Sequence, residues 1–265
     1  MLGTFVEITA DCERAIDAGF EAVELAHRLM SAHEPDSDVS SINRFAHLRP
    51  VEIDPWTALV LERAIGWSRH SEGAFDIVCA GKSAVENGLV PMHPGQHSPE
   101  VSHWTWLELS GSSVRLMRPA CIDLGGIAKG FAVDRAVAAL KAAGADAGLV
   151  NAGGDIGGFG AQAWPVQVVD PQARRAIANV AVPNGAIATS SVLPDGRAWH
   201  LPGIAPDIQS ATVCAPSAMD ADALTKVVLS GSSTVSRCLR IANARAFVLT
   251  GAGAIQSVEP ERKVA

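Results

Sequence analysis

Predicted strands in this chain of 265 residues occur in hairpins more often than in strand–helix–strand units. One hairpin is predicted where residues 104–109 and 114–117 flank the turn-forming segment 111–113. A second is predicted near the end of the chain, from residues 246–250 and 254–258. Strict alternation of strands and helices would indicate a parallel, doubly wound sheet, whereas this pattern predicts the α+β class.

Helices are predicted where apolar residues recur at helical spacing. One of them has clear boundaries, because Asp54 is suited to cap it, Pro55 occupies its first position and Gly73 lies just past its end. The first helix of the chain is predicted from the stripe Ile16, Phe20, Val23, His27 and Met30. Further helices are predicted over residues 127–143, 218–229 and 234–243.

Two segments are predicted to be irregular. Residues 31–43 are polar and rich in turn-forming residues, so they are predicted to form a loop. Residues 82–103 contain glycine, proline, asparagine and three histidines. The spacing of His93, His97 and His103 fits no standard zinc pattern, so a zinc site is not predicted there.

Composition argues against several classes of partner. The chain has 21 lysine and arginine residues against 28 aspartate and glutamate residues, and this net charge of −7 disfavours nonspecific binding to nucleic acid. The sequence has no apolar run of about 18 residues, so no membrane span is expected. Five scattered cysteines without a CxxC pair, and an N-terminus without a secretory pattern, lead us to expect reduced thiols in the cytoplasm.

Glycine pairs at 125–126, 153–154 and 157–158 could each approach a phosphate group closely. None of them fits a P-loop or a GxGxxG motif, and each alone is better explained by a tight turn. The first pair differs in its neighbours, because Asp123 precedes it and Lys129 follows at a predicted helix start. A helix N-terminus and a lysine favour an anion, and Asp123 is suited to accept from a ribose hydroxyl or a ring N–H.

A second candidate site lies on the helix predicted over residues 218–229. Asp222, Thr225 and Lys226 are spaced to share one face of that helix. Oxygen groups in this arrangement suit a Mg²⁺ ion that retains water and contacts a diphosphate. Alone, the pattern is more typical of an ordinary ion pair between Asp222 and Lys226.

Seven segments, in order from residue 1 to residue 228, resemble those of the ApbE family of FAD:protein FMN transferases. The segments read MLGTFVEI, LMSAHEPDSDVSSIN, GAFDIV, IDLGGIAKGFAVDRA, LVNAGGDI, AIATSS and VCAPSAMDADALTKVV. Each is a weak signal by itself, but their number and order make the resemblance specific.

The resemblance implies a fold, a cofactor set and a reaction. It implies one domain over residues 1–265, with two lobes and no clear linker, in a T-fold-related α+β architecture of mixed or antiparallel sheets flanked by helices. FAD would lie in the cleft between the lobes, with Mg²⁺ on its diphosphate. The implied reaction transfers FMN from FAD to a threonine or serine hydroxyl of a target flavoprotein and releases AMP.

The resemblance also assigns roles to individual residues. Gly126, through its carbonyl, and Asp222 and Thr225, through their side chains, match metal ligands. His200 is the counterpart of a family histidine, here assigned to activating or orienting the acceptor hydroxyl; the alternative is a surface histidine in a loop with proline and glycine. The residues that match flavin or FAD contacts are Met30, Ala74, Phe75, Asp76, Asp123 and Lys129.

Two departures from the family pattern affect the chemistry. Residues 197–206 lack the Asp-Pro-Arg-Thr-Gly portion that usually follows the histidine, and Lys226 stands where many members have a threonine ligand. A lysine there would repel a metal ion on Asp222. We expect Lys226 to swing away, leaving Thr225 and water to complete the metal shell; the alternative is that its ammonium replaces part of the work of the cation.

Two further hypotheses compete with FMN transfer. The same site would act as an FAD pyrophosphatase, giving FMN and AMP, if water replaced the acceptor hydroxyl. The altered segment around His200 would instead be consistent with a flavin-binding protein that has no catalytic activity.

Overall fold

The computed structural model describes residues 3–78, 102–173, 175–182, 184–192 and 203–260. Its helices are α1 (Glu13–Met30), α2 (Asp38–Phe45), α3 (Pro55–His70), α4 (Ala128–Ala142), α5 (Ala218–Ser230) and α6 (Val235–Ile241). Its first strands are β1 (Val6–Ala10), β2 (Val51–Glu52), β3 (Leu107–Ser110), β4 (Ser113–Leu116), β5 (Gly148–Ala152) and β6 (Asp155–Phe159). The remaining strands are β7 (Trp164–Val169), β8 (Ala176–Val182), β9 (Gly185–Ser191), β10 (Ile208–Ala215), β11 (Arg245–Thr250) and β12 (Ile255–Val258).

A seven-stranded sheet with the order β1-β5-β6-β9-β10-β11-β12 organises most of the chain. Every neighbouring pair in it is antiparallel. Helix α4 packs on β5 and β6, and α5 packs on β9 and β10, while α1 packs on α4 and β1. The two central helices, α4 and α5, therefore meet above the middle strands of the sheet.

Two smaller sheets complete the fold. The three-stranded sheet β2-β4-β3 packs with α2 and α3, and it shares one continuous hydrophobic core with the large sheet. The hairpin β7-β8 forms a second, smaller core against the large sheet. The buried residues of that core are Ile156, Val166, Val168, Val182 and Ile187. The division into two lobes of one domain stays a prediction.

Local capping explains why several predicted helices are confirmed. The Asp54 carboxylate accepts a hydrogen bond from the Trp56 N–H at 2.8 Å, and Pro55 opens α3 as expected. Helix α5 begins after Ser217, whose hydroxyl accepts from the Asp220 N–H, and it ends at Gly231 with a φ of +64°. Both hairpins are also confirmed, as β3-β4 and β11-β12.

The prediction of a loop over residues 31–43 is wrong in its second half. Helix α2 begins within that segment, and the Ser37 hydroxyl caps it by accepting from the Ser40 N–H at 3.0 Å. Its buried face contains serine and asparagine beside Val39 and Ile42, so the apolar spacing was too sparse to reveal a helix.

The glycines at 157–158 lie in a strand and not in a tight turn, because β6 continues through them with all of its residues buried. A Cβ on Gly157 would lie 2.8 Å from Val133 Cγ1 of α4, and one on Gly158 would lie 3.0 Å from Trp164 Cδ1. These glycines give neighbouring side chains room on both faces of the sheet. The pair at 153–154 does form a turn, with φ values of +66° and +96°.

None of the helices in the described ranges is both long and apolar enough to cross a membrane. Within the same ranges, the cysteines at 12, 121, 214 and 238 form no disulfide bond. Cys79 lies outside the described residues, as do His93 and His97.

Candidate active site

A cavity of about 530 Å³ opens where the end of α1, the start of α4, β9 and α5 come together. This volume is within the usual range for small-molecule sites. Met30, Asp123 and Lys129, all expected at the FAD site, line it, and so does Lys226. Residues that lie far apart in the sequence therefore share one concave surface.

Two lysines that line the cavity contact two buried aspartates, and we call these four residues the Lys–Asp cluster: Lys129, Lys226, Asp155 and Asp222. Lys129 Nζ lies 3.1 Å from Asp155 Oδ2 and 3.4 Å from Asp222 Oδ2. Lys226 Nζ donates to Asp222 Oδ1 and, at 3.0 Å, to the backbone carbonyl of Asp222. Asp155, Asp222 and Lys226 are almost fully buried, whereas the Lys129 side chain is 24% exposed.

The balance of burial and nearby charge lowers the pKa of one carboxylate and raises the pKa of the other. Burial alone would raise the pKa of Asp222, but the charges of Lys129 and Lys226 outweigh it and lower that pKa to about 2. Burial, together with the charge of Asp222, raises the pKa of Asp155 to about 6 despite the nearby Lys129. The nearby carboxylates raise the pKa of Lys129 against the effect of its burial. Burial lowers the pKa of Lys226, and its contact with Asp222 offsets this only in part.

Helices α4 and α5 cross closely, and this crossing positions Asp222. A Cβ on Gly130 would lie 2.1 Å from the Ala218 carbonyl oxygen, so the contact requires glycine. The Gly130 N–H donates to Asp222 Oδ2 at 3.2 Å. One turn further along α4, the Asp134 carboxylate accepts from the Ser217 hydroxyl at 2.7 Å and from the first N–H groups of α5.

Gly130, Asp134 and Asp155 were not predicted from the sequence as residues of the site. Gly130 and Asp134 are spaced one turn apart within IAKGFAVD, which is a usable signal for one helix face. Asp155 lies within LVNAGGDI, where only the glycines were interpreted, and its contact with Lys129 depends on the tertiary fold.

Asp123 lines the cavity but also stabilises the turn before α4. Its Oδ1 accepts from the Gly125 N–H at 2.8 Å, and its own N–H donates to the Ile77 carbonyl at 2.9 Å. The side chain therefore lines the cavity while one of its oxygens holds the turn, and a direct contact with FAD stays a prediction.

Ala74, Phe75 and Asp76 do not line this cavity. Phe75 is buried, and the two Asp76 carboxylate oxygens accept from the N–H groups of Val78 at 2.8 Å and Trp104 at 2.9 Å. In the described structure this turn supports the fold locally, and a direct contact with FAD stays a prediction. His200, the expected catalytic residue, lies outside the described residues.

Two of the three expected metal ligands, Asp222 and Thr225, are already engaged with each other, and Asp222 also contacts the lysines. Thr225 Oγ1 donates to the Asp222 carbonyl at 2.7 Å and lies 2.7 Å from Ser190 Oγ. Neither Thr225 nor Gly126 lines the cavity. Lys226 pairs with the Asp222 carboxylate in the described structure, whereas the expectation that it swings away concerned a site with a bound metal.

The residues at Asp222 therefore do not fit a divalent ion. A divalent ion on this carboxylate would lie about 5 Å from the Lys226 ammonium, and at an effective dielectric constant of about 20 the repulsion is roughly 6–7 kcal/mol before screening. The described parts of the chain also contain no group of three or more histidine, cysteine, aspartate or glutamate side chains arranged to hold a metal.

Comparison with known proteins identifies the family. The sequence model of the ApbE family matches residues 2–195. The chain belongs to the ApbE family. The structure also resembles the ApbE protein from Thermotoga maritima, with a TM-score of 0.83 and 25% identity, covering 97% of this chain and 94% of that one. This likeness confirms the predicted α+β class.

Other ApbE relatives have named activities. The flavin transferase ApbE from Vibrio cholerae has the same fold, with a TM-score of 0.82 at 21% identity, covering 98% of this chain and 94% of that one. An FAD:protein FMN transferase from Treponema pallidum (strain Nichols) is 26% identical, over 81% of this chain and 70% of its own length. One from Rhodobacter capsulatus is 32% identical over 55% of this chain, but the match spans only 30% of that relative.

Proposed function

We propose that this ApbE-family protein transfers FMN from FAD to a threonine or serine hydroxyl of a target flavoprotein and releases AMP. Membership of the family and the names of the relatives support the reaction class. The single observation that supports it in this chain is the cavity whose floor presents Lys129 and Lys226.

Lysine ammonium groups suit the diphosphate that joins the two halves of FAD. The start of α4 lies at the same cavity, through Gly125, Ala128 and Lys129, and the dipole of this helix adds positive potential there. Fixed positive groups of this kind stabilise negative charge that develops as a phosphate bond breaks. Lys129, which is partly exposed, is the candidate for that role.

The proposed reaction moves one phosphorus atom between two oxygens. The acceptor hydroxyl oxygen bonds to the phosphorus of the FMN half, and the bond from that phosphorus to the bridging oxygen breaks. The bridging oxygen leaves with AMP, and the hydroxyl proton passes to a base, for which His200 is the candidate. The Mg²⁺ expected from the resemblance takes no part in this scheme, because the donor set at Asp222 does not fit it.

Incubation of the purified protein with FAD and candidate flavoproteins tests the proposal. We expect a fluorescent flavin band at the position of the target in a denaturing gel, and an equal amount of AMP by chromatography. Lys129→Met should lower the rate at least tenfold, whereas Lys141→Met, at an exposed position on α4, should leave it unchanged. AMP without a labelled target would indicate an FAD pyrophosphatase, and bound FAD without AMP a flavin-binding protein.

The site of action in the cell is part of the same proposal. A cytoplasmic target requires a cytoplasmic enzyme, and cell fractionation with an antibody to the protein measures where it accumulates. Recovery in the membrane or extracellular fraction would contradict the expected location.

A further inference from the structure

Lys226 occupies an unusual position for a lysine, because its ammonium is buried at the floor of the cavity and not extended into solvent. The residue is 4% exposed, and it lines the cavity together with Lys129. A buried ammonium requires compensating charge or hydrogen bonds, and Asp222, one turn earlier on α5, supplies both. The position of the charge is therefore fixed by the fold.

The Lys–Asp cluster balances its own charge. Two carboxylates face two ammonium groups, so the cluster is formally neutral without any added ion. A divalent ion at Asp222 would leave this buried cluster with two uncompensated positive charges. A metal would bind only after Lys226 had left Asp222, and the ammonium would then need a new buried partner.

The Lys226 ammonium also retains a donor for a ligand. An ammonium donates up to three hydrogen bonds. In the described structure Lys226 donates two, to the carboxylate and to the backbone carbonyl of Asp222. No other acceptor for Lys226 is found among the described residues, so the third proton is open to an oxygen in the cavity that Lys226 lines. Phosphate oxygens are suitable acceptors for such a charged donor.

We propose that Lys226 is a built-in cation that takes the place of a divalent ion, so that this protein binds the diphosphate of FAD without metal. The inference rests on the proposed function only in taking FAD as the ligand. A single charge replaces a double one, so binding is sensitive to salt but indifferent to chelators.

Titration of FAD into metal-free protein, followed by quenching of flavin fluorescence, tests this directly in the wild type. We expect the dissociation constant in EDTA to lie within twofold of the value in millimolar Mg²⁺. We also expect Mn²⁺ alone, followed by its electron paramagnetic resonance signal, to show no binding to the free protein at submillimolar concentration. FAD affinity that falls tenfold or more in EDTA would overturn the proposal.

The variant Lys226→Thr should make FAD binding depend on a metal ion. Its FAD affinity in EDTA should fall at least tenfold and recover in Mg²⁺, and Mn²⁺ should now bind near Asp222. Lys141→Thr, at an exposed lysine on α4, is the matched control and should behave as the wild type does. A Lys226→Thr variant that binds FAD equally in EDTA and in Mg²⁺ would contradict the proposal, and the wild-type titration decides the case if this variant does not fold.

The outcomes separate this inference from the proposed function. Metal-independent FAD binding without any transfer or AMP release would support the inference while contradicting the transferase. FMN transfer that occurs only with Mg²⁺ would support the transferase while contradicting the inference. Wild-type protein that binds no FAD in either condition would overturn both.

Discussion

Asp155 and Asp222 contact the same lysine, yet they differ in how well their charge is compensated. Asp222 has Lys226 and the Gly130 N–H in addition to Lys129. Asp155 Oδ2 lies 3.1 Å from Lys129 Nζ, but no hydrogen bond of good geometry reaches it from the described residues. Ionised Asp222 therefore stabilises the fold above the unfolded-state pKa of about 4, whereas ionised Asp155 destabilises it.

Asp155→Asn should make this difference measurable. The raised pKa, about 6, means that the folded protein holds the Asp155 proton more tightly than the unfolded chain does. The stability that this gives is complete below about pH 4 and is lost as the pH rises through about 6, by at most about 3 kcal/mol. Urea unfolding from pH 4 to pH 7 should thus show the wild type losing stability relative to Asp155→Asn. A constant difference would contradict this, and Asp17→Asn on α1 is the exposed control.

The crossing of α4 and α5 depends on the absence of a side chain at Gly130. Gly130→Ala would place a Cβ 2.1 Å from the Ala218 carbonyl oxygen, and a backbone atom cannot rotate away as a side chain can. The free energy of unfolding should fall by about 3 kcal/mol, measured by urea denaturation. Gly66→Ala on α3 is the matched control, because nothing lies within 4 Å of its Cβ, and it should be neutral or stabilising. Equal effects of the two substitutions would refute the close crossing.

Asp134 holds the N-terminus of α5 through three hydrogen bonds. Asp134→Ala removes the acceptor for the Ser217 hydroxyl and for the N–H groups of Ala218 and Met219. Because these groups are partly buried, we expect a loss of about 2–3 kcal/mol in thermal or urea unfolding. Asp17→Ala, on the exposed face of α1, should change stability by less than about 0.5 kcal/mol. An Asp134→Ala variant with an unchanged free energy of unfolding would contradict the expected loss and would mean that water replaces the carboxylate.

Elements with local boundary signals could be predicted from the sequence, and elements without them could not. Asp54 and Pro55 predict the start of α3, because a helix cap depends only on residues that are adjacent in the sequence. Strand β6 escaped prediction because its glycines suggest a turn, and only packing against Val133 and Trp164 explains them. Strands β9 and β10, rich in small and polar residues, also lack a clear alternation of apolar and polar residues.

The candidate site shows the same limit across the whole chain. The pairing of Asp222 with Lys226 follows from a spacing of one helical turn and was among the alternatives read from the sequence. The contact between Lys129 and Asp222 joins residues 93 positions apart, so it needed the packing of α4 on α5. The complete pairing of the two lysines with the two aspartates of the Lys–Asp cluster therefore could not be predicted from the sequence alone.

Asn43 links distant parts of the molecule. Its side chain donates to the Ile122 carbonyl at 3.0 Å and accepts from the Ile122 N–H at 2.7 Å, across 79 positions of sequence. Asn43→Ala would leave both buried backbone groups without this partner, and we expect a loss of about 3 kcal/mol, or a melting temperature roughly 6–12 °C lower. Scanning calorimetry measures the shift. Asn179→Ala, at an exposed position of β8, should leave the melting temperature unchanged, and equal shifts would argue against the link.

The pairing of β1 with β5 has a consequence for how the chain folds during synthesis. Glu7 on β1 and Asn151 on β5 are hydrogen-bonded neighbours, although 144 positions separate them. A ribosome that adds about 5–20 residues per second needs roughly 7–30 s to make the intervening chain. Strand β1 thus leaves the ribosome long before its partner exists, and throughout that interval its unpaired backbone is open to chaperones and to neighbouring nascent chains.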